Sequence, residues 1–149
     1  MNRKQKKYHL KIPGKACNLE TIRNFVSDIA VEMGFNPENV NKIELAVDEA
    51  CTNIIEHAYG HDENQDIDVS VQSDMKKLTV IVSDKGKSFD HKNIEMPDMK
   101  KYLEELRVGG LGIYLMKTLM DDVKYSTSPG GRNEVRMVKY LAETKTSEK

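Results

Sequence analysis

Asp48-Glu49-Ala50-Cys51-Thr52-Asn53-Ile54-Ile55-Glu56-His57-Ala58-Tyr59 is the stretch whose reading decides the fold. At 100° per residue its apolar positions Ala50, Ile54 and Ala58 continue a stripe begun upstream by Val40, Ile43 and Val47, which predicts an amphipathic helix. Asn36-Pro37 supplies an N-cap followed by proline at the first helical position, and Gly60 marks the expected end. Glu49, Asn53 and Glu56 fall on the side away from the stripe. Glu49 and Asn53 are one turn apart, so a carboxylate and an amide oxygen converge. Such a pair can hold a Mg²⁺ ion, which takes hard oxygen ligands and keeps several waters, or orient an attacking hydroxyl. Read alone, it is more often a solvated helix face.

Upstream, Leu19, Ile22, Val26, Ile29 and Met33 recur at helical steps, with Asn18 as the expected cap and Gly34 as the stop. Before them Tyr8, Leu10 and Ile12 alternate with polar residues up to Pro13-Gly14, the pattern of a short strand. Downstream, a polar link from His61 to Gln65 leads to Ile67-Val69-Val71 and Leu78-Val80-Val82, which read as a hairpin around Gln72 to Lys77. Asp84 to Val108 is charged, holds Pro97 and shows only a weak helical pattern at Met99, Tyr102, Leu103 and Leu106. A segment of that length without regular structure is expected to be functional or mobile, and Gly86 to Val108 is expected to act as a lid over a ligand. An apolar helix from Ile113 to Met120 follows, then strands around Val123-Tyr125 and Val135-Met137 flanking Ser128-Pro129-Gly130-Gly131. The expectation is one α+β domain over residues 1–149, with a core of about 8–141 and a polar tail at 142–149. It would be a two-layer α/β sandwich, helices on one face of a mostly antiparallel sheet.

Composition narrows the function. Among 149 residues, 23 Lys and Arg stand against 24 Asp and Glu, so no large basic field exists to drive binding to nucleic acid or to an acidic membrane. Cys17 and Cys51 are far apart and form no Cys-x-x-Cys pair, which argues against a disulfide scaffold or structural zinc. No stretch approaches the roughly 18 apolar residues of a membrane span, and Met1 to Lys7 are polar and basic with no apolar run behind them. A cytoplasmic protein is expected, and the eight methionines are expected to fill core gaps.

Two further motifs carry chemistry. Asp84-Lys85-Gly86 follows directly on a strand; an Asp held there can accept a hydrogen bond from the exocyclic amine of adenine, and the glycine lets a flat base approach the backbone. Alone, Asp-x-Gly is more often a turn. Gly109-Gly110-Leu111-Gly112 runs into a helix, where unpaired N–H groups and the positive dipole end suit phosphate. Its spacing matches neither the dinucleotide fingerprint nor the Lys-containing P-loop. His57 and His61 lack the His-Glu-x-x-His arrangement of a metal site.

Taken in order, a helix with Glu-x-x-x-Asn, a strand ending in Asp-x-Gly and a glycine-rich helix start resemble the ATP-binding (Bergerat-type) domain shared by gyrase, heat-shock protein 90, histidine kinases and mismatch-repair ATPases. The match is nearest to its single-domain bacterial branch, the anti-sigma factor serine kinases. Asp48 to Tyr59 looks like that branch's N box, and Gly109-Gly110-Leu111-Gly112-Ile113 like its second glycine box. The resemblance spans roughly Leu10 to Leu141. It implies that Asn53 binds Mg²⁺, Glu49 acts as general base, Asp84 recognises adenine and Gly86 shapes the base pocket. Gly109, Gly110 and Gly112 would approach the phosphates, and Arg107, just before them, would contact the γ-phosphate, because a guanidinium matches phosphate geometry. One departure stands near the end: Gly131-Arg132-Asn133-Glu134 replaces the usual Gly-Thr pair, leaving open any threonine contact to phosphate or to a water near the base.

The function implied is an ATP- and Mg²⁺-dependent protein serine/threonine kinase that phosphorylates an anti-sigma-factor antagonist and sequesters a sigma factor. The resembling family is usually dimeric, which implies a homodimer here. Two alternatives stand beside it. One is a non-catalytic ATP-binding, partner-switching module. The other is a detached histidine-kinase-like catalytic domain, whose N box usually has Asn where this chain has Glu49.

Overall fold

Alternation at Tyr8, Leu10 and Ile12 becomes strand β1, Lys6–Pro13, which pairs antiparallel with β2, Asp66–Ser73. The computed structural model describes residues 5–58, 65–85, 111–128 and 131–141. The expected hairpin is β2 with β3, Lys77–Asp84. Its turn is closed by Asp74, whose carboxylate accepts from the backbone N–H groups of Lys76 and Lys77 at 2.7 and 2.9 Å. The last two strands are β4, Asp122–Thr127, and β5, Asn133–Tyr140. Their order in the sheet is β1-β2-β3-β5-β4, with every neighbouring pair antiparallel.

Helix α1, Leu19–Met33, ends where expected. Gly34 takes φ +106°, a left-handed conformation costly for residues with a Cβ, and its N–H returns to Ala30 and Val31 carbonyls. Its start falls at Leu19 behind Asn18, as expected, but without the expected side-chain cap bond. A 3₁₀ turn, Ala16–Asn18, leads into the helix, and Asn18 has helical backbone angles without a side-chain cap bond. Its amide donates instead to the Pro13 carbonyl at 2.8 Å, tying the helix entry to the end of β1.

Helix α2, Pro37–Asn53, begins as the sequence predicts, Asn36 Oδ1 accepting from Asn39 N–H at 2.8 Å with proline behind it. It does not continue as an α-helix toward Gly60, which lies outside the described residues. From Ile54 to Ala58 the chain widens into a π-helical turn. Ala50, Cys51, Ile54 and Ile55 are all at least 94 % buried, so two successive isoleucines must face the core, and the wider turn accommodates them.

Helix α3, Leu111–Leu119, packs against α2, and α2 also packs against α1 and β3. The helices form one layer over the sheet. The shared core draws Ile22, Val26 and Ile29 from α1, Val40, Ile43, Ala46 and Val47 from α2, and Met116 from α3. The strands contribute Ile67, Val69, Val71, Leu78, Val80, Val82, Val135 and Met137. Each such aliphatic side chain taken from water favours the fold by roughly 1.5–3 kcal/mol. Lys139, buried on β5, donates to the Leu119 carbonyl at 2.7 Å and so places its charge at the negative end of α3. The methionines divide: Met116, Met120 and Met137 fill the core as expected, whereas Met75 is exposed at the hairpin turn. The weak helical pattern of Met99 to Leu106, the expected lid and the polar tail 142–149 lie outside the described residues.

Candidate functional site

Glu49 and Asn53 sit on the last turns of α2, both half-buried, with Glu56 exposed one further turn along. Asn53 is the final α-helical residue before the π turn, a kind of irregularity that recurs at functional sites. Burial pushes the Glu49 carboxyl above its ordinary range, and the neighbouring charges of Asp48 and Glu56 push the same way. A carboxylate so shifted is a stronger base than a free glutamate. Asp48 is turned to structural use: it accepts from the Arg23 guanidinium at 3.0 Å, joining α2 to α1. Cys51, also within this stretch, is sealed in the core and its thiol is pushed up to about 12, first by burial and then by Asp48, so it is no nucleophile.

Asp84 ends β3 in the same phase as Leu78, Val80 and Val82, so it faces the helical layer, and it is only 5 % exposed. A carboxylate there must be hydrogen-bonded, because an unpartnered buried charge is costly. Asn133, directly opposite on β5, donates through Nδ2 to Asp84 Oδ1 at 2.9 Å. Thr127 on β4 donates in turn to Asn133 Oδ1 at 3.3 Å. The Tyr125 phenol, pushed up to about 12 by burial and by the Asp84 charge, stays protonated throughout the physiological range. On the opposite face of the sheet, Arg132 donates to Asp68 Oδ2 at 2.6 Å and to Ser83 Oγ at 3.1 Å, while His9 Nε2 lies 2.9 Å from Asp68 Oδ1. Burial alone would raise the Asp68 carboxyl, but the Arg132 and His9 bonds outweigh it and hold it low.

Of the residues expected to form the site, the structure therefore places Glu49 and Asn53 on a helix that packs against the strand ending in Asp84. Gly112 lies in the first turn of α3, which packs on the same helix. Gly86, Arg107, Gly109 and Gly110 lie outside the described residues. A cavity of about 200 Å³ lies at the far end of β3, between α1 and the hairpin turn; Tyr8, Ile29, Met33 and Met75 line it and none of the expected site residues does. Among the described residues no group of three or more His, Cys, Asp or Glu is arranged to enclose a metal. The donor set fits an ion held by one amide oxygen and completed by waters and substrate oxygens, the habit of Mg²⁺ rather than of zinc or calcium.

Sequence reasoning singled out Asn133 only as a departure and did not weigh Thr127 at all. A signal was present: in β5 the inward positions are Asn133, Val135 and Met137, and a polar residue in inward phase needs a partner. No helix among the described residues is long and apolar enough to cross a membrane.

The histidine kinase-like ATPase domain family matches residues 12–139 of the chain. Serine-protein kinase RsbW of Bacillus subtilis (strain 168) is 36 % identical over 137 residues, which span 89 % of this chain and 84 % of the relative. Serine-protein kinase RsbW of Bacillus pumilus is 39 % identical over 139 residues, with the same coverage of 89 % and 84 %. Among solved structures, the RsbU and RsbW domains of a Mycobacterium tuberculosis protein superpose with a TM-score of 0.67 at 16 % identity, over 93 % of this chain and 33 % of that one. The SiaB-SiaC complex from Pseudomonas aeruginosa gives a TM-score of 0.65, also at 16 % identity, over 88 % of both chains. At that identity the two structures speak for the fold: an antiparallel sheet under a helical layer. With the family match covering residues 12–139 and these relatives at 36–39 % identity over most of both chains, the chain belongs to the histidine kinase-like ATPase domain family, among the serine-protein kinases of the RsbW type.

Proposed function

We propose that this chain is an ATP-dependent protein serine/threonine kinase of the cytoplasm that phosphorylates an anti-sigma-factor antagonist and sequesters a sigma factor when that antagonist is absent. The observation that carries the reading is the half-buried Glu49–Asn53 pair at the end of α2, on a helix packed against the strand that ends in Asp84. In this reading Asp84 accepts from the adenine amine and Gly86 leaves room for the base. Gly109, Gly110 and Gly112 bring backbone N–H groups to the phosphates at the α3 N-terminus, where the helix dipole favours anions. Arg107 pairs with the γ-phosphate.

Glu49 has the chemical task. It accepts the proton of the acceptor serine as the serine oxygen bonds to the γ-phosphorus and the bond from that phosphorus to the β–γ bridging oxygen breaks, releasing ADP. Its pKa, raised by burial and by the charges of Asp48 and Glu56, makes it a better proton acceptor than a free glutamate. Asn53 would hold Mg²⁺ together with the phosphates, and that ion supplies neutralisation of phosphate charge. The homodimer implied by the family belongs to the same proposal.

Incubation with γ-labelled ATP and a candidate antagonist tests the activity: label transferred to a serine or threonine of the antagonist is expected. Binding without any transfer would leave a partner-sequestering module instead. Calorimetry tests the ion site. Asn53→Ala should weaken Mg·ATP by about tenfold while metal-free ATP changes by less than about twofold. Equal losses with and without Mg²⁺ would remove Asn53 from the metal.

A further inference from the structure

The chain enters β5 through Gly131, at φ +86°, and the next two residues point to opposite faces of the sheet. Arg132 reaches the outer face and clamps Asp68 and Ser83. Asn133 turns inward and meets Asp84. The dipeptide Arg132-Asn133 thus grips the neighbouring dipeptide Ser83-Asp84 from both sides, one hydrogen bond on each face. The amide of Asn133 has a fixed sense: the Asp84 carboxylate only accepts, so the NH₂ faces it and the amide oxygen is turned to accept from the Thr127 hydroxyl. Asn133 and Asp84 are 6 % and 5 % exposed, which leaves a low-dielectric setting where such a bond is strong and directional.

We propose that Asn133 is a positioning residue for base recognition: by holding one oxygen of Asp84 it fixes the plane of the carboxylate, and with it the direction in which Asp84 accepts from the 6-amino group of a purine nucleotide. Asn133 acts through Asp84 and does not itself touch the base. Its bond to Thr127 couples β4 to this arrangement, and Arg132 keeps the entry to β5 from sliding along β3. The inference rests on the reading of Asp84 as the adenine acceptor.

The experiment compares binding of Mg·ATP with that of the Mg²⁺ complex of purine riboside triphosphate, which lacks the 6-amino group, by calorimetry on the full chain. The wild type is expected to prefer ATP by about tenfold or more, the worth of a hydrogen bond to a charged acceptor. Asn133→Ala should cut that preference to about twofold or less, while the affinity for purine riboside triphosphate stays within about twofold of wild type. Asp84→Asn should do the same, and the double variant should lose nothing more, because the two residues act as one. Asn133→Ser, polar but too short to reach, carries the same expectation should Asn133→Ala fail to fold. Retention of the wild-type preference in a folded Asn133 variant, or equal weakening of both nucleotides, would overturn the proposal while leaving Asp84 in place. Absence of any preference in wild type, unchanged by Asp84→Asn, would instead overturn the adenine reading and this inference with it.

Discussion

The two ends of β3 are built on opposite plans. At Lys77 the strand leaves a turn closed by Asp74 through bonds to residues two and three positions away, and the turn's side chain Met75 projects into solvent. At Asp84 the strand ends in a buried carboxylate held by Asn133, 49 positions along the chain, with Arg132 gripping the adjoining Ser83 from the other face. The first end is a local device that needs only its own sequence. The second assembles polar groups from β3, β4 and β5 in the interior, where water cannot substitute for a missing partner. Buried polarity that the fold does not need locally is concentrated at this end of the strand, the end to which the proposed function assigns the base.

The strongest challenge to that division is made on the helix that packs over β3. Glu49→Gln keeps the side chain's shape and leaves the core stripe untouched, so Mg·ATP binding should stay near wild type while single-turnover phosphotransfer falls by at least about 10²-fold. Near-normal transfer would mean that positioning by other groups carries the reaction. The opposite end of β3 should respond in the opposite currency of measurement. Asp74→Ala removes both turn bonds and should lower unfolding stability by about 1 kcal/mol, read from urea titration, with ATP affinity unchanged. A shift in ATP affinity would show that the hairpin turn communicates with the Asp84 end.

The smallest effect sharpens the comparison by separating charge from shape. Because the Glu49 carboxyl is raised in the fold, first by burial and then by Asp48 and Glu56, the folded state holds its proton more tightly than the unfolded state does. Its contribution favours the fold below the unfolded carboxyl pKa and is lost as pH rises through the folded one. Ionised Glu49 therefore weakens the fold at neutral pH, and Glu49→Gln should stabilise it there by less than about 1 kcal/mol. Thermal unfolding followed from pH 7 down should show the advantage vanish once the wild-type carboxyl is protonated.

What could be read from the sequence follows the same line. Gly34, Asn36-Pro37 and the alternation of β2 and β3 act over a few residues, and the end of α1, the start of α2 and both strands lie close to the expected bounds. Glu49 and Asn53 were legible as a pair because i and i+4 share a helix face whatever the tertiary setting. Asn18 stands at the N-cap position of α1 as expected, but its amide goes to the Pro13 carbonyl, a partner set by how β1 meets α1 and without a local signature. The π turn at Ile54–Ala58 was hidden because the apolar stripe continues through it. Neither the placement of β5 between β3 and β4 nor the bond from Asn133 to Asp84 has a local signature, since both depend on strands distant in sequence meeting in one sheet.

The two cysteines give the unmodified protein an internal clock. Cys17 is exposed beside the entry to α1, whereas Cys51 is fully enclosed on the helix that bears Glu49 and Asn53, with its thiol pushed up to about 12. A thiol reagent should consume Cys17 at once and reach Cys51 only when α2 lifts from the sheet, so the slow phase of labelling counts openings of that helix. A nucleotide that binds the closed form lengthens the interval between them, and the delay grows with its concentration.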